Sequence, residues 1–269
     1  MAQHPTVNIA LCAARKAGDL IMREVDRLDL LQVEEKGLND FVSEMDKKAE
    51  QEIIYHINKA FPEHAILAEE SGSSGAQQDA EFEWVIDPID GTTNYVRGIP
   101  HFAVSIACKQ HGRLEHAVVY DPVRQEEFTA SRGRGAQLNG RRIRVSKRIE
   151  LTSAVIGTGI PFLSRQHEHL PAYMETLEQV SANSAGIRRA GAASLDLAYV
   201  AAGRLDAFWE LGLNEWDIAA GALLILEAGG LVSDFNGGQD YLSSGNIVCG
   251  NPKCFKALLQ VVQPKLAKI

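Results

Sequence analysis

Two stretches near the N-terminus repeat apolar residues at the spacing of an amphipathic helix. They predict helices over residues 5–25 and 46–61, and Pro5 suits the first turn of the earlier one. The apolar positions of the first stretch are Val7, Ala10, Leu11, Ala14, Ala17, Ile21 and Val25. The polar stretch between them, residues 31–46, predicts a connection.

The centre of the chain has short apolar runs separated by turn residues. AILA (65–68) and WVI (84–86) predict buried strands, and the Gly- and Ser-rich residues 71–83 between them predict a mobile loop. Three further strands follow over residues 101–133, and Asn139-Gly140 is the signal of a tight β-hairpin. The first part of the chain is therefore predicted to be α+β with a large antiparallel sheet.

The last third of the chain alternates strand and helix patterns. Strands are predicted at SAVIGTG, AFWE, LVSDF and NIVCG, with helices near 165–181, 194–202, from Trp216 and from Pro252. This alternation is typical of α/β structure. We predict an α/β fold of two halves that form one structural unit: an α+β half over residues 1–150 and an α/β half over 151–269.

Composition and charge narrow the function classes. The 269 residues are 45% hydrophobic and 23% charged, with a net charge of −8, which disfavours general attraction to nucleic acid or anionic membranes. No apolar run approaches the roughly 18 residues of a membrane span, and the N-terminus lacks the layout of a signal peptide. Four scattered cysteines with no CxxC pair indicate reduced thiols. The expected location is the cytoplasm.

Acidic residues recur where predicted strands end or helices begin. Glu69 and Glu70 follow the first strand, Asp87 and Asp90 follow the second, and Asp217 lies near the start of a helix. Each feature alone is most often a solvated turn or a helix-terminal residue. Carboxylates gathered at adjacent strand ends repel one another unless a cation lies among them, and oxygen ligands of this kind suit Mg²⁺.

The segment DPIDG (87–91) has features that a metal and phosphate site requires. Pro88 restricts the backbone on either side of it, and the Ile89 carbonyl can face the same cation as the flanking carboxylates. Gly91 permits close approach of an anion, and Thr92 can begin a short helix with free N–H groups. The spacing does not match a calcium-binding EF-hand loop.

Three segments together resemble the signatures of the inositol monophosphatase family: AEES (68–71), WVIDPIDGTTNYV (84–96) and WDIAAGALLILEAGG (216–230). The resemblance extends from the first helix to the end of the chain. It implies a layered αβαβα sandwich, a homodimer, and a lithium-sensitive phosphatase that hydrolyses myo-inositol monophosphate with two to three Mg²⁺ ions. A related small sugar or nucleotide phosphatase is the alternative within the superfamily.

The resemblance also implies roles for individual residues. The implied metal ligands are Glu69, Asp87, the Ile89 carbonyl, Asp90 and Asp217. Thr92 paired with Asp46 is implied to position the attacking water, and Glu69 to help activate it. Implied substrate contacts are Asp90, Gly91, Thr92, the loop Gly191-Ala192-Ala193 and Glu210. Ala192 replaces a threonine common in that loop, and Lys36 matches a lysine on a lid near the metals.

A basic segment raises a hypothesis of another class. Residues 132–148 contain seven basic residues and no acidic one: Arg132, Arg134, Arg141, Arg142, Arg144, Lys147 and Arg148. This segment is either a solvated hairpin or a weak RNA or protein contact. The sequence as a whole most resembles a bacterial branch of this family. That branch is associated with ribosomal RNA transcription antitermination, in which it acts with NusA and RNA polymerase. The second hypothesis is therefore an interaction protein whose phosphatase activity is secondary.

Overall fold

The computed structural model describes residues 3–25, 33–37, 40–75, 80–161 and 166–268, with the side chains of 33–37 and 40–43 outside the description. The helices are α1 (Pro5–Glu24), α2 (Glu44–Ala60), α3 (Thr92–Val96), α4 (Leu170–Ala182), α5 (Ala193–Ala201), α6 (Glu215–Glu227), α7 (Tyr241–Ser244) and α8 (Pro252–Leu266). The strands are β1 (Val33–Gly37), β2 (Asp40–Ser43), β3 (Ala65–Ala68), β4 (Gly72–Gly75), β5 (Phe82–Asp90), β6 (Ala103–Gln110), β7 (Arg113–Asp121), β8 (Glu126–Ser131), β9 (Gly135–Leu138), β10 (Arg141–Arg142), β11 (Val155–Thr158), β12 (Gly186–Arg188), β13 (Ala207–Glu210), β14 (Leu231–Ser233) and β15 (Ile247–Gly250).

These strands form two large mixed sheets and one hairpin. The larger sheet has the strand order β10-β9-β8-β7-β6-β5-β3-β4, and the smaller has β12-β11-β13-β15-β14. In the larger sheet only β3 and β5 pair in parallel. In the smaller sheet β11 runs parallel to both β12 and β13, and β15 is antiparallel to its neighbours.

The helices and sheets stack in five layers, α-β-α-β-α. Helices α1 and α2 cover the outer face of the larger sheet, α5 and α6 lie between the two sheets, and α4 and α8 cover the outer face of the smaller one. The sequence explains this order. Helices α1 and α2 each have one apolar face, whereas α6 is buried around most of its circumference from Ile218 to Ile225. A helix that is apolar on all sides belongs between two sheets.

Alternation along the central strands fills the layers on both sides of the larger sheet. On β6, Val104, Ile106 and Cys108 face α1 and α2, whereas Ala103 and Ala107 face the helices between the sheets. Successive strand side chains point to opposite faces, so a strand covered on both sides is apolar throughout. The mixed α/β class, the large antiparallel and smaller second sheets, and the layered architecture predicted above are confirmed. The division near residue 150 stays a prediction.

Two local predictions differ from the structure, and two short elements were not predicted. The segment expected to be a polar connection contains the hairpin of β1 and β2, and residues 72–75 of the expected mobile loop form β4 against β3; residues 76–79 lie outside the description. Strand β12 and the one-turn helix α7 were not predicted. These elements are short or polar, and they are held by pairing with a distant neighbour rather than by their own apolar pattern.

Candidate metal and phosphate site

Acidic side chains from three elements meet at one edge of the larger sheet. Strands β3 and β5 run in parallel, so Glu69, which follows β3, and Asp87 and Asp90 on β5 emerge at the same edge. The backbone N–H of Glu69 donates to the carbonyl of Ile86 at 3.1 Å, which continues the pairing of the two strands. Asp217 in the first turn of α6 completes the group. Oxygens of Asp87, Asp90 and Asp217 all lie within 4.8 Å of one another.

An irregularity in β5 places Asp87 and Asp90 on the same side. Residues three apart in a regular strand point to opposite faces. Here Asp87 is opposite Ser105 and Asp90 is opposite Ala103, so β5 has one residue more than β6 between the two pairs. Such a bulge bends the strand and redirects a side chain. Pro88 lies inside it and has no N–H to donate to a ladder, which explains why the pairing breaks there.

One oxygen of each aspartate accepts a hydrogen bond from the backbone. Ile89 N donates to Asp87 Oδ1 at 3.0 Å. Asn214 N donates to Asp217 Oδ2 at 2.7 Å as part of the capping box of α6. Ser194 N donates to Asp90 Oδ2 at 2.7 Å, and Ser194 Oγ approaches the same oxygen at 2.5 Å. These bonds orient the three carboxylates, and the second oxygen of each can act as a ligand.

Burial and mutual repulsion make this group unfavourable when it is fully charged. Burial raises the pKa of Asp87 well above its usual range, and Glu69, Asp90 and Asp217 raise it further by repulsion. Burial also raises the pKa of Asp217, followed by repulsion from Asp90 and Glu69. Burial raises the pKa of Asp90 to about 6, although the hydrogen bonds from Ser194 oppose the shift. A divalent cation among these oxygens would relieve the repulsion, and hard carboxylate and carbonyl oxygens are what Mg²⁺ requires. The residues therefore fit Mg²⁺.

Thr92 connects this group to a buried carboxylate of α2. Its Oγ1 lies 2.9 Å from Asp46 Oδ1 and 3.0 Å from the carbonyl oxygen of Ile89. The hydroxyl has one proton to give to these acceptors, so its lone pairs remain to accept a hydrogen bond from the cleft. Asp46 is fully buried. It lies in the first turn of α2, which begins at Glu44.

The carboxylates line a cleft of about 790 Å³ between the two sheets. Its wall includes Gly91, whose φ of 93° lies in the left-handed region. A Cβ on Gly91 would come within 3.1 Å of the carbonyl oxygens of Gly191 and His101, so a larger residue would push the 190–192 loop away. Asn94 holds the same loop, because its Nδ2 donates to the Ala190 carbonyl at 2.9 Å.

Glu210, at the end of β13, occupies the far wall of the cleft. The side chain is 9% exposed and lies against Gly159, where a Cβ would overlap with the carboxylate. Burial raises the pKa of Glu210 to about 8, repulsion from Asp196 adds to the shift, and Arg189 opposes it. Strands β11 and β13 are parallel, which brings Gly159 and Glu210 to the same edge of the smaller sheet. The cleft thus lies where strand ends of both sheets face each other.

The structure brings most of the predicted site residues into this cleft. Glu69, Glu70, Asp87, Ile89, Asp90, Gly91, Thr92, Gly191, Ala192, Ala193, Glu210 and Asp217 all line it, and Asp46 contacts it through Thr92. Ala192 lines the cleft but is only 1% exposed. The backbone of Lys36 lies in β1, and its side chain is outside the described residues, so the lid stays a prediction.

Three polar residues of the site were missed by sequence reasoning. Ser194 holds Asp90, Glu50 Oε2 accepts from the backbone N–H of Glu70 at 2.8 Å, and Asp196 lines the cleft at 2% exposure. Asp196 had a readable signal, because it is the one charged residue in the apolar sequence ASLDLAYVA. Ser194 and Glu50 had none, since their partners are distant in the chain.

Fold and site define a class of protein, and comparison with known proteins gives the same class. The model of the inositol monophosphatase family matches residues 2–267, and the chain belongs to that family. It is therefore a phosphatase by class.

Individual relatives point to one branch of this family. The Nus factor SuhB of Pseudomonas aeruginosa is 62% identical over 263 residues, which cover 97% of each chain. Among solved structures, the extragenic suppressor protein SuhB of Bartonella henselae superposes with a TM-score of 0.91 at 45% identity, covering 95% of this chain and 97% of the other. The inositol monophosphatase of Anabaena gives a TM-score of 0.85 at 35% identity, covering 98% of both chains. The expected closeness to the bacterial SuhB branch is confirmed.

Proposed function

We propose that the chain is a Mg²⁺-dependent phosphomonoesterase that hydrolyses myo-inositol monophosphate to inositol and phosphate. One observation carries the proposal: the oxygens of Asp87, Asp90 and Asp217 lie within 4.8 Å of one another in the wall of a large cleft. Glu69 repels Asp87 and Asp217 and thus belongs to the same group. Two to three Mg²⁺ ions are held by Glu69, Asp87, the Ile89 carbonyl, Asp90 and Asp217, and Glu70 lines the cleft beside them.

Bound Mg²⁺ supplies Lewis-acid activation of a water and neutralises charge on the phosphate. The chain's own residues orient that water. Thr92 donates a hydrogen bond to Asp46 or to the Ile89 carbonyl and accepts a hydrogen bond from the water, and Glu69 accepts the water's proton. The backbone at Gly91 and Thr92 binds the phosphate, because α3 begins here and the first N–H groups of a helix have no partner within it.

The inositol ring occupies the space between Glu210 and the Gly191-Ala192-Ala193 loop. Burial raises the pKa of Glu210 to about 8, which favours a protonated carboxyl that can donate as well as accept hydrogen bonds with ring hydroxyls. Asp90 is grouped with the other proposed metal ligands, and it also accepts from Ser194, the residue that follows this loop. Asp90 therefore contacts both the ion and the ring. The name of the Anabaena relative, inositol monophosphatase, supports the same substrate. Other small sugar or nucleotide phosphates are the alternative substrates.

The test is phosphate release from inositol 1-phosphate across a Mg²⁺ titration, with Asp87→Asn in parallel. We expect turnover that requires Mg²⁺, is inhibited by Li⁺, and disappears in the variant. A folded wild-type chain that binds Mg²⁺ and releases no phosphate from inositol 1-phosphate, glycerol 2-phosphate or nucleotide monophosphates would contradict the proposal. Release of phosphate from glycerol 2-phosphate or nucleotide monophosphates, but not from inositol 1-phosphate, would support phosphatase activity and reject inositol phosphate as the substrate.

A second function is favoured by the basic segment 132–148. Arg132 pairs with Glu115, but no other basic residue of the segment forms an ion pair with any residue that the structure describes. The five from Arg141 to Arg148 are exposed. We infer from this segment a second role in ribosomal RNA transcription antitermination, with NusA and RNA polymerase as partners and a weak RNA contact at the segment. The relatives named Nus factor SuhB support the antitermination role alone.

This second function calls for its own experiment. We expect binding to NusA or RNA polymerase that weakens with salt and with the double variant Arg141→Glu/Arg144→Glu, and that survives Asp87→Asn. Unchanged binding in the double variant would reject the segment as the contact.

Among the described residues all four cysteines are free thiols, which supports a cytoplasmic location. No helix in the described ranges is long and apolar enough to cross a membrane. We also propose a homodimer, to be tested by light scattering.

A further inference from the structure

One partly buried ammonium group connects the two elements that carry Asp87 and Asp217. Lys109, near the end of β6, is 12% exposed, and its Nζ lies 2.5 Å from Glu83 Oε2 and 2.7 Å from Glu215 Oε1. Burial disfavours the charge on Lys109, but the hydrogen bonds to Glu215 and Glu83 outweigh this effect, so its pKa is raised. The lysine therefore holds its charge between two carboxylates from different elements.

The two partners lie close in sequence to the proposed metal ligands. Glu83 is on β5, directly opposite Lys109, on the same strand as Asp87. Glu215 is the first residue of α6, which carries Asp217 in the same turn. Lys109 thus connects β5, the strand of Asp87, to α6, the helix of Asp217.

A second contact connects the same pair of elements. Ser105 is opposite Asp87 in the register of β5 and β6, and its Oγ donates to the backbone carbonyl of Trp216 at 3.2 Å. Ser105 and Lys109 thus contact consecutive residues of α6, Trp216 and Glu215, immediately before Asp217. Strand β6 contributes no ligand to the site, but it contacts both of the elements that do.

The position of Asp217 depends on where α6 begins. Its Oδ2 accepts from Asn214 N in the capping box, so the carboxylate is fixed relative to the first turn of the helix. Oxygens of Asp217, Asp87 and Asp90 lie within 4.8 Å of one another, and like charges this close repel each other. Before a cation binds, this repulsion acts to move the start of α6 away from β5. A contact that attaches the first turn to β6 opposes that movement.

We propose that Lys109 is a positioning residue that holds the first turn of α6, and with it Asp217, in place for metal binding. The inference rests on the proposed metal site. Glu83 and Glu215 are 36% and 22% exposed, so water can still solvate both carboxylates when the ion pairs are removed. Their effect is on geometry, and partners that orient metal ligands in this way typically change metal affinity by about 10- to 100-fold.

The experiment measures Mn²⁺ binding directly, by the electron paramagnetic resonance signal of the free ion, on the full chain without substrate. The variants are Lys109→Met, Lys109→Arg and Lys265→Met. Lys265 is a matched control, because it forms a 2.8 Å ion pair with Glu175 in a region remote from the cleft. We expect Lys109→Met to weaken Mn²⁺ binding about tenfold. Lys109→Arg should restore most of the affinity, and Lys265→Met should bind as the wild type does. The KM for inositol 1-phosphate at saturating Mg²⁺ should stay unchanged.

The outcomes separate this inference from the proposed function. Wild-type affinity in Lys109→Met, or an equal loss in Lys265→Met, would overturn the positioning role and leave the metal site intact. Absence of Mn²⁺ binding in the folded wild type would instead reject the metal site itself. If Lys109→Met does not fold, Glu215→Gln and Ser105→Ala carry the test, each with an expected loss of affinity. Unchanged binding in both would overturn the inference.

Discussion

The hydroxyl of Thr92 lies 2.9 Å from the carboxylate of Asp46, a residue 46 positions earlier in the chain. Asp46 is on α2, on the outer side of the larger sheet, and Thr92 begins α3 in the cleft. Asp46 is fully buried, so its carboxylate has a fixed position and orients the Thr92 hydroxyl from inside the protein. In the proposed mechanism, this contact connects the packing of the outer helix layer to the orientation of the attacking water.

Replacing Thr92 by valine tests this contact. The substitution retains the shape of the side chain and removes the hydroxyl, so we expect kcat to fall about 100-fold with little change in Mg²⁺ affinity. Steady-state kinetics and a direct metal titration on the same preparation measure both. Thr152→Val, in an exposed turn distant from the cleft, is the control. A loss of metal affinity that accounts for the whole rate effect would argue against water orientation.

Ser194→Ala tests the support of Asp90. Ser194 directs both its N–H and its hydroxyl at Asp90 Oδ2, and the variant removes only the second donor. A hydrogen bond to a charged group contributes roughly 1.5–3 kcal/mol. We therefore expect the Mg²⁺ concentration for half-maximal activity to rise about tenfold. Ser243→Ala, whose hydroxyl contacts only a surface backbone carbonyl, should leave it unchanged. A wild-type Mg²⁺ dependence in Ser194→Ala would show that the backbone N–H alone suffices.

Gly159→Ala tests the position of Glu210. A Cβ at this position overlaps with the Glu210 carboxylate, which can respond by rotating away from its present place. We expect KM for inositol 1-phosphate to rise several-fold, roughly 3- to 10-fold, as for the loss of one hydrogen bond, with a smaller change in kcat. The double variant Gly159→Ala/Glu210→Gln should show no further loss beyond the single variants. Additive effects would mean that the alanine acts through something other than Glu210.

His116 gives the fold a dependence on pH. Its Nδ1 lies 3.0 Å from Ser131 Oγ and its ring stacks on His4; burial, followed by repulsion from His4, lowers the pKa of His116 to about 4. The unfolded chain binds the proton at about pH 6.5. Stability from neutral His116 is therefore complete above pH 6.5 and is lost as the pH falls towards 4.

Urea unfolding at pH 7.5, 6, 5 and 4.5 measures this loss. Since the ring is half-buried, we expect about 1–2 kcal/mol between pH 7.5 and 4.5. His116→Gln should flatten the pH dependence by that amount, and His111→Gln, at an exposed turn, should not. Identical pH profiles for the wild type and His116→Gln would contradict the assignment.

Much of the fold was predictable because it is encoded by residues close in sequence. The amphipathic patterns of α1 and α2, the strands β3 and β6 to β8, and the Asn139-Gly140 hairpin appear where they were predicted. Asn139 and Gly140 both have φ values in the left-handed region, as the tight turn requires. Strand β12 lacks such a local pattern and forms only against β11.

Some residues of the candidate site could be predicted from the sequence, and others could not. The carboxylates at the ends of β3 and β5 could be found from the sequence, because strand ends and turn residues are local features. That Asp87 and Asp90 share a side of the strand could not, since a regular strand would place them on opposite faces and only the irregular pairing with β6 reverses this. Asp196 was detectable as a charge within an apolar helix. Ser194 and Glu50 were not, because a hydroxyl or carboxylate reveals its role only through its partner.

The sequence by itself determined most of the elements, their apolar faces, and the acidic residues offered to a cation. Only the tertiary structure decided other pairings, such as Ser194 with Asp90 and Lys109 with both Glu83 and Glu215. The physical reason is the range of the forces involved. Backbone preference and hydrophobic periodicity act between neighbours along the chain, whereas hydrogen bonds and ion pairs act over a few ångströms in space. Strand register and the stacking of layers decide which distant residues come that close.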